Sequence, residues 1–106
     1  MPKYMLQGTY TIEGLRGVLK EGGSARKKAV EELISSMGGR LEVMYFTFGT
    51  DDFVIIYDGV DNITTAAGAM MTSASGAVKA RTTVLLTPEE MDEAAKKTGT
   101  YRPPGQ

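Results

Sequence analysis

Residues 39–59 read GRLEVMYFTFGTDDFVIIYDG. Two apolar, aromatic-rich runs, Leu41 to Phe48 and Phe53 to Asp58, flank the polar link Gly49-Thr50-Asp51-Asp52. Runs of this kind around a short Gly- and Asp-containing link predict a hairpin of two neighbouring strands. The remaining segments are then expected to cover that hairpin.

Upstream, Lys3 to Thr11 alternates: Tyr4, Leu6, Gly8 and Tyr10 fall on one side and Met5, Gln7, Thr9 and Thr11 on the other, as in a half-buried strand. Ile12 to Gly23 places Leu15, Val18 and Leu19 at helical spacing and predicts a short helical turn ending at Glu21-Gly22-Gly23. Ser24 is the expected N-cap of the first long helix, in which Val30, Leu33, Ile34 and Met37 recur at i, i+3, i+4 and i+7 before Gly38-Gly39. Arg26, Lys27, Lys28, Glu31 and Glu32 are expected on its solvated face.

Downstream, Asp61 or Asn62 can cap a second helix, whose expected core stripe is Ile63, Ala66, Ala67, Met70 and Met71, ending near Ser75-Gly76. Ala77 to Leu86 alternates again, with Val78, Ala80, Thr82, Val84 and Leu86 opposite Lys79, Arg81, Thr83 and Leu85. Thr87-Pro88-Glu89-Glu90 combines a capping-box pair with proline at the first helical position and predicts a short polar helix to about Lys97. Residues 1–98 then form a single domain, and 99–106 a flexible C-terminal tail.

Strand, helix, two-stranded hairpin, helix, strand is the βαββαβ order. It predicts an α+β, ferredoxin-like fold, a four-stranded antiparallel sheet with two helices on one face. The opposite face is left bare, yet either side of the hairpin strands is apolar: Leu41, Val43 and Tyr45 or Met44, Phe46 and Phe48, with Phe53, Ile55 and Tyr57 or Val54 and Ile56. Such a patch marks an interface, and the simplest cover is the same face of a second copy, a homodimer.

Composition narrows the chemistry. A chain of 106 residues has enough length for one core, burying roughly 65% of its extended-chain surface. Its 12 basic and 13 acidic residues form no block of like charge, which argues against a nucleic-acid or anionic-membrane footprint. Absence of cysteine and histidine removes disulfides, thiolate and imidazole catalysis, and sulfur- or imidazole-ligated metals. No metal and no cofactor are therefore expected. The N-terminal stretch lacks an apolar signal core and no run is long enough to span a bilayer, so a cytoplasmic location is expected. None of the glycine pairs follows a strand in a nucleotide-loop pattern; they read as breakers and caps.

Taken in order, Tyr10-Thr11 with Gly14-Leu15, the start Ser24-Ala25-Arg26, Met37-Gly38-Gly39-Arg40-Leu41, the hairpin Tyr45-x-Thr47-x-Gly49-x-x-Asp52-Phe53, and Val78 with Arg81-Thr82 resemble the GYD-domain family of the dimeric α/β-barrel superfamily. The matching features run from about residue 4 to 90. The family's namesake motif has a glycine, a variable residue, a tyrosine and an aspartate in succession, whereas this chain has Asp51 in the tyrosine's place. The resemblance implies a ferredoxin-like fold whose sheets pair into a barrel, and it brings no established activity.

Five side chains are candidate ligand contacts: Asp52, Arg81, Tyr10, Tyr45 and Thr83. Asp51 and Asp52 read either as a general base or cation ligand, or as turn residues accepting backbone hydrogen bonds. The turn reading is preferred. Lys79, Arg81 and Thr83 share a side of the last strand, and Met5, Gln7 and Thr9 a side of the first. If those sides coincide, they wall a semi-polar cavity suited to a small anionic or oxygenated molecule. The competing reading pairs Arg81 with a carboxylate such as Glu42 or Asp52, or with one across the dimer, and uses Tyr10, Tyr45 and Tyr57 as packing aromatics. The preferred function is a homo-oligomeric, non-catalytic module binding a small molecule in a sheet-lined cavity. The alternative is a cofactor-independent small-molecule enzyme working with Asp52, Arg81 and tyrosines.

Overall fold

The computed structural model describes residues 2–106, in the order β1 (Lys3–Tyr10), α1 (Ile12–Glu21), α2 (Gly23–Ser36), β2 (Arg40–Phe46), β3 (Phe53–Asp58), α3 (Asn62–Ala74), β4 (Val78–Leu85) and α4 (Pro88–Lys96). The strands make one antiparallel sheet in the order β2-β3-β1-β4. Residues of both α2 and α3 stand over the Leu6, Phe53 and Ile55 side of that sheet. This α+β arrangement is compatible with the ferredoxin-like plan.

The elements begin and end for local reasons. Thr11 leaves β1 and caps α1, its hydroxyl accepting from Gly14 N at 3.1 Å. α1 stops at Gly22, whose φ of 86° is costly for any residue with a Cβ. α2 begins directly behind it, so Ser24 lies inside the helix and Gly22 occupies the N-cap without a side-chain cap. Asp61 caps α3 by accepting from Thr64 N at 2.8 Å, and the Thr87–Glu90 capping box opens α4.

The hairpin forms where the two apolar runs predict it, with two differences. β2 ends at Phe46, and the connection is held by Thr47 N donating to Asp52 O and by the Thr47 hydroxyl donating to Asp51 O. Phe48 is left fully exposed at the tip. β2 also carries a bulge between Leu41 and Val43. Leu41 pairs with Tyr57 and Met44 with Ile55, on the helix side, while Val43 pairs with Ile56 and Tyr45 with Val54, on the other. Simple alternation, which would keep Leu41, Val43 and Tyr45 together, fails because the extra residue inverts the parity of the strand.

The core is small: Tyr4, Ile34, Phe53, Ile55, Tyr57 and Val60 are the buried apolar side chains among the described residues. Tyr4 stacks on Tyr57 with ring centroids 5.4 Å apart, and its hydroxyl donates to Asn62 Oδ1 at 2.8 Å. That bond ties the start of α3 to β1. Thr64, Thr65, Gly68, Ala69 and Thr72 face the sheet, and of the expected core stripe Ile63, Ala66, Ala67 and Met70 point outward, with Ile63 81% and Met70 71% exposed, while Met71 alone reaches the helix-side cleft. α2 behaves as its periodicity predicts, burying Ile34 and half-burying Val30, Leu33 and Met37.

The radius of gyration is 16.9 Å, against about 13 Å for a compact domain of this length. The excess fits α4 and residues 97–106, all of them exposed from Met91 onward.

Candidate functional site

On the helix-free side of the sheet, strand register arranges side chains in rows. Tyr45, Val54, Gln7 and Arg81 form one row across all four strands, and Val43, Ile56, Met5 and Thr83 form the next. The sides of β1 and β4 that the sequence left undecided therefore coincide. Arg81, however, is already engaged: it donates to both carboxylate oxygens of Asp51, at 3.0 and 2.8 Å, and to Gln7 Oε1 at 3.3 Å. Its partner is neither Glu42, which pairs with Lys3 at 2.6 Å, nor Asp52. The Arg81 guanidinium holds the Asp51 carboxyl below its ordinary range, and the arginine is itself shifted upward. Asp51, which the sequence suggests as a turn acceptor, works through its side chain as an ion-pair partner.

Asp52 lies apart from this row. Its Oδ2 accepts from Tyr10 N at 2.9 Å, its own N–H donates to Gly8 O, and its carbonyl accepts from Thr47 N. It thus ties the hairpin connection to the end of β1. The Tyr10 ring is on the helix side, packed on Phe53 with centroids 5.1 Å apart. The five candidate ligand contacts are consequently divided. Arg81, Thr83 and Tyr45 belong to the open face, Tyr10 belongs to the opposite face, and Asp52 sits at the hairpin end between them.

A cavity of about 470 Å³ lies on the helix side. α2 packs along β2 and α3 along β4, so the centre of the sheet is roofed by neither. The floor is Leu6, Phe53 and Ile55, with Val30, Leu33 and Met37 on the α2 wall and Thr65, Ala69 and Thr72 on the α3 wall. Small side chains on α3 leave the space open. Two phenols mark its length, Tyr10 towards the start of α2 and Tyr57 towards the start of α3. Burial is the main effect raising both phenols above their ordinary values, with Arg26 opposing it at Tyr10 and the Thr65 hydroxyl opposing it at Tyr57. The Thr65 Oγ1 is buried without a partner in hydrogen-bond geometry.

Apolar walls with a few convergent hydroxyls and one cation, at this volume, are the composition and size that small-molecule sites have. The chain's own groups give it no nucleophile–base pair, and among the described residues no three carboxylates gather as metal ligands. The sequence reading missed this cavity because it assigned Arg26 to the solvated face of α2 and the wrong stripe of α3 to the core. Half-buried Arg26 in fact lines the cleft. A signal was present: the first turn of α2 ends on Arg26 and holds no acid.

Residues 4–95 match the family model described as the GYD domain. No curated protein and no solved structure gives a significant match. Among the described residues no helix is long and apolar enough to cross a membrane.

Proposed function

The chain belongs to the GYD-domain family, and from that premise we propose that it is a homo-oligomeric binding module that takes up a small molecule in the cleft between α2, α3 and the sheet. The cleft carries this reading. Its volume of about 470 Å³ falls within the range of small-molecule sites, and its lining is apolar with a few placed hydroxyls. This cleft is a different place from the cavity suggested by the sequence, whose walls were Lys79, Arg81 and Thr83 with Met5, Gln7 and Thr9 on the opposite face of the sheet.

The apolar side chains of the helix-free face support the homo-oligomeric part of the reading, as a surface on which two copies would pair. The open rows centre on Val43, Tyr45, Val54, Ile56 and Met5, and Tyr45 is 65% exposed in the single chain. A core of only six buried side chains leaves much apolar surface for an interface. Face-to-face pairing would bury at least about 1,200 Å² in total.

Two measurements test the proposal. Native mass spectrometry of the purified protein is expected to show a homodimer carrying a reproducible small-molecule adduct that Ala69→Trp, which fills the cleft, removes. Sedimentation velocity is expected to show Ile56→Glu as a folded monomer. An adduct that survives Ala69→Trp would refute the cleft, and a wild-type monomer at micromolar concentration would refute the pairing.

A further inference from the structure

Resting on the reading that the cleft binds a small molecule, we propose that its ligand is an amphipathic anion, an elongated apolar body bearing one carboxylate, with the carboxylate held by Arg26 and the body laid over Leu6, Phe53 and Ile55. The first ground is the charge of the lining. Arg26 is its one charged residue, and no aspartate, glutamate or lysine joins it. In a largely apolar cleft a single guanidinium sets the sign of the field, because low-dielectric walls strengthen it relative to water.

The second ground is that Arg26 is available where the chain's comparable arginine is not. Arg81 is saturated by a bidentate carboxylate and an amide. Arg26 has one loose contact, Nη1 to Glu21 Oε1 at 3.4 Å, with both side chains about one-third exposed, 35% and 37%. The planar fork of donors that suits a carboxylate is left largely unused.

The third ground is where the residue stands. The positive end of a helix disfavours cations and favours anions. α2 nevertheless starts Gly23-Ser24-Ala25-Arg26, with no acid in its first turn and no side-chain cap, and Lys27 and Lys28 follow in the next turn. Compensation inside the chain is limited to the one 3.4 Å contact of Arg26 with Glu21, which leaves donors of the guanidinium for an anion from outside it. A carboxylate at Arg26 would satisfy the guanidinium and the helix end together. Tyr10 lines the same cleft, and its phenol, protonated at neutral pH like any ordinary tyrosine, adds a donor for the anion.

The body of the ligand follows from the floor. From Phe53 to Tyr57 the strand advances about 13 Å, four steps of roughly 3.3 Å. That length is comparable to an extended decyl chain.

Isothermal titration calorimetry with decanoate, decanol and decyltrimethylammonium, each below its micellar concentration, tests the inference. Wild-type protein is expected to bind decanoate at least about ten-fold more tightly than decanol, equal to about 1.4 kcal/mol. Arg26→Gln should erase that preference while still binding decanol, Arg26→Lys should keep part of it, and Lys27→Gln, an exposed neighbour, should leave it whole. Thermal melts establish that each variant is folded. Equal binding of decanoate and decanol by wild type, or a preference that persists in Arg26→Gln, would overturn the anion and leave the cleft reading intact. Failure of wild type to bind any of the three probes would overturn the anion and the cleft reading alike.

Discussion

Asp52 is one carboxylate holding two parts of the sheet together, and its removal should be felt through a single backbone N–H. Tyr10 N lies 2.9 Å from Asp52 Oδ2, and β1 pairs with β3 only as far as Gly8 opposite Phe53. No β3 carbonyl is therefore positioned to replace the carboxylate. Hydrogen bonds to charged groups contribute about 1.5–3 kcal/mol, and a half-buried donor left unpaired pays its desolvation as well, so Asp52→Ala should cost about 2 kcal/mol. Asp52→Asn keeps an acceptor oxygen at the same position and loses only the charge, and should cost about 1 kcal/mol. At this chain length the difference corresponds to roughly 4 °C in Tm. Urea unfolding followed by circular dichroism, run at two protein concentrations to separate dissociation from unfolding, measures both values. Amide exchange at Tyr10 should accelerate markedly in the alanine variant and little in the asparagine one. If asparagine proves as damaging as alanine, charge and not the acceptor is what the site needs, and the structural account of Asp52 fails.

Two further outcomes follow from the same sheet. Asp51 is held below its ordinary value by Arg81, so the pair stabilises the fold above the ordinary aspartate range and that contribution fades as pH falls through the lowered value. Arg81→Gln should accordingly flatten the acid limb of the stability profile below about pH 4 and leave the profile above about pH 5 unchanged in slope. Gly8 faces Ala80 across β1 and β4 so closely that an added Cβ would collide with the Lys79 carbonyl oxygen and lie 2.7 Å from Ala80 Cα. Gly8→Ala should destabilise by about 3 kcal/mol, read from the urea midpoint, because neither obstacle is a flexible side chain that can move aside.

How far the sequence could be read depended on what each signal encodes. Strand alternation in Lys3–Tyr10 and Val78–Leu85 gave the right faces because both strands are regular along their length. The α2 stripe was legible because large apolar side chains at helical spacing coincide with the face that meets the sheet. α3 was misread for the converse reason: its sheet-facing residues are mostly small or hydroxyl-bearing, and its start is tied to β1 by the Tyr4–Asn62 hydrogen bond, a contact across 58 positions. Hydropathy favours the larger side chains and so selected the outward stripe. The ion pair of Arg81 with Asp51 was equally hidden, because it depends on how the hairpin connection lies beside β4, which residue type does not specify. As for the cleft, it arises from a distance between two helices, and no local pattern records that distance.

The bulge between Leu41 and Val43 acts as a frameshift written into the backbone. The shift cancels one added residue, Glu42, which lies between Leu41 opposite Tyr57 and Val43 opposite Ile56. The local bend takes up that residue, so every side chain from Val43 onward keeps the partner it would have without it. Excising Glu42 would straighten the strand and leave Val43 and Tyr45 on the open side and Met44 and Phe46 towards the helices. A codon gained or lost at this point is thus absorbed without exchanging the two faces of β2, and the surface offered to a second copy keeps its residues.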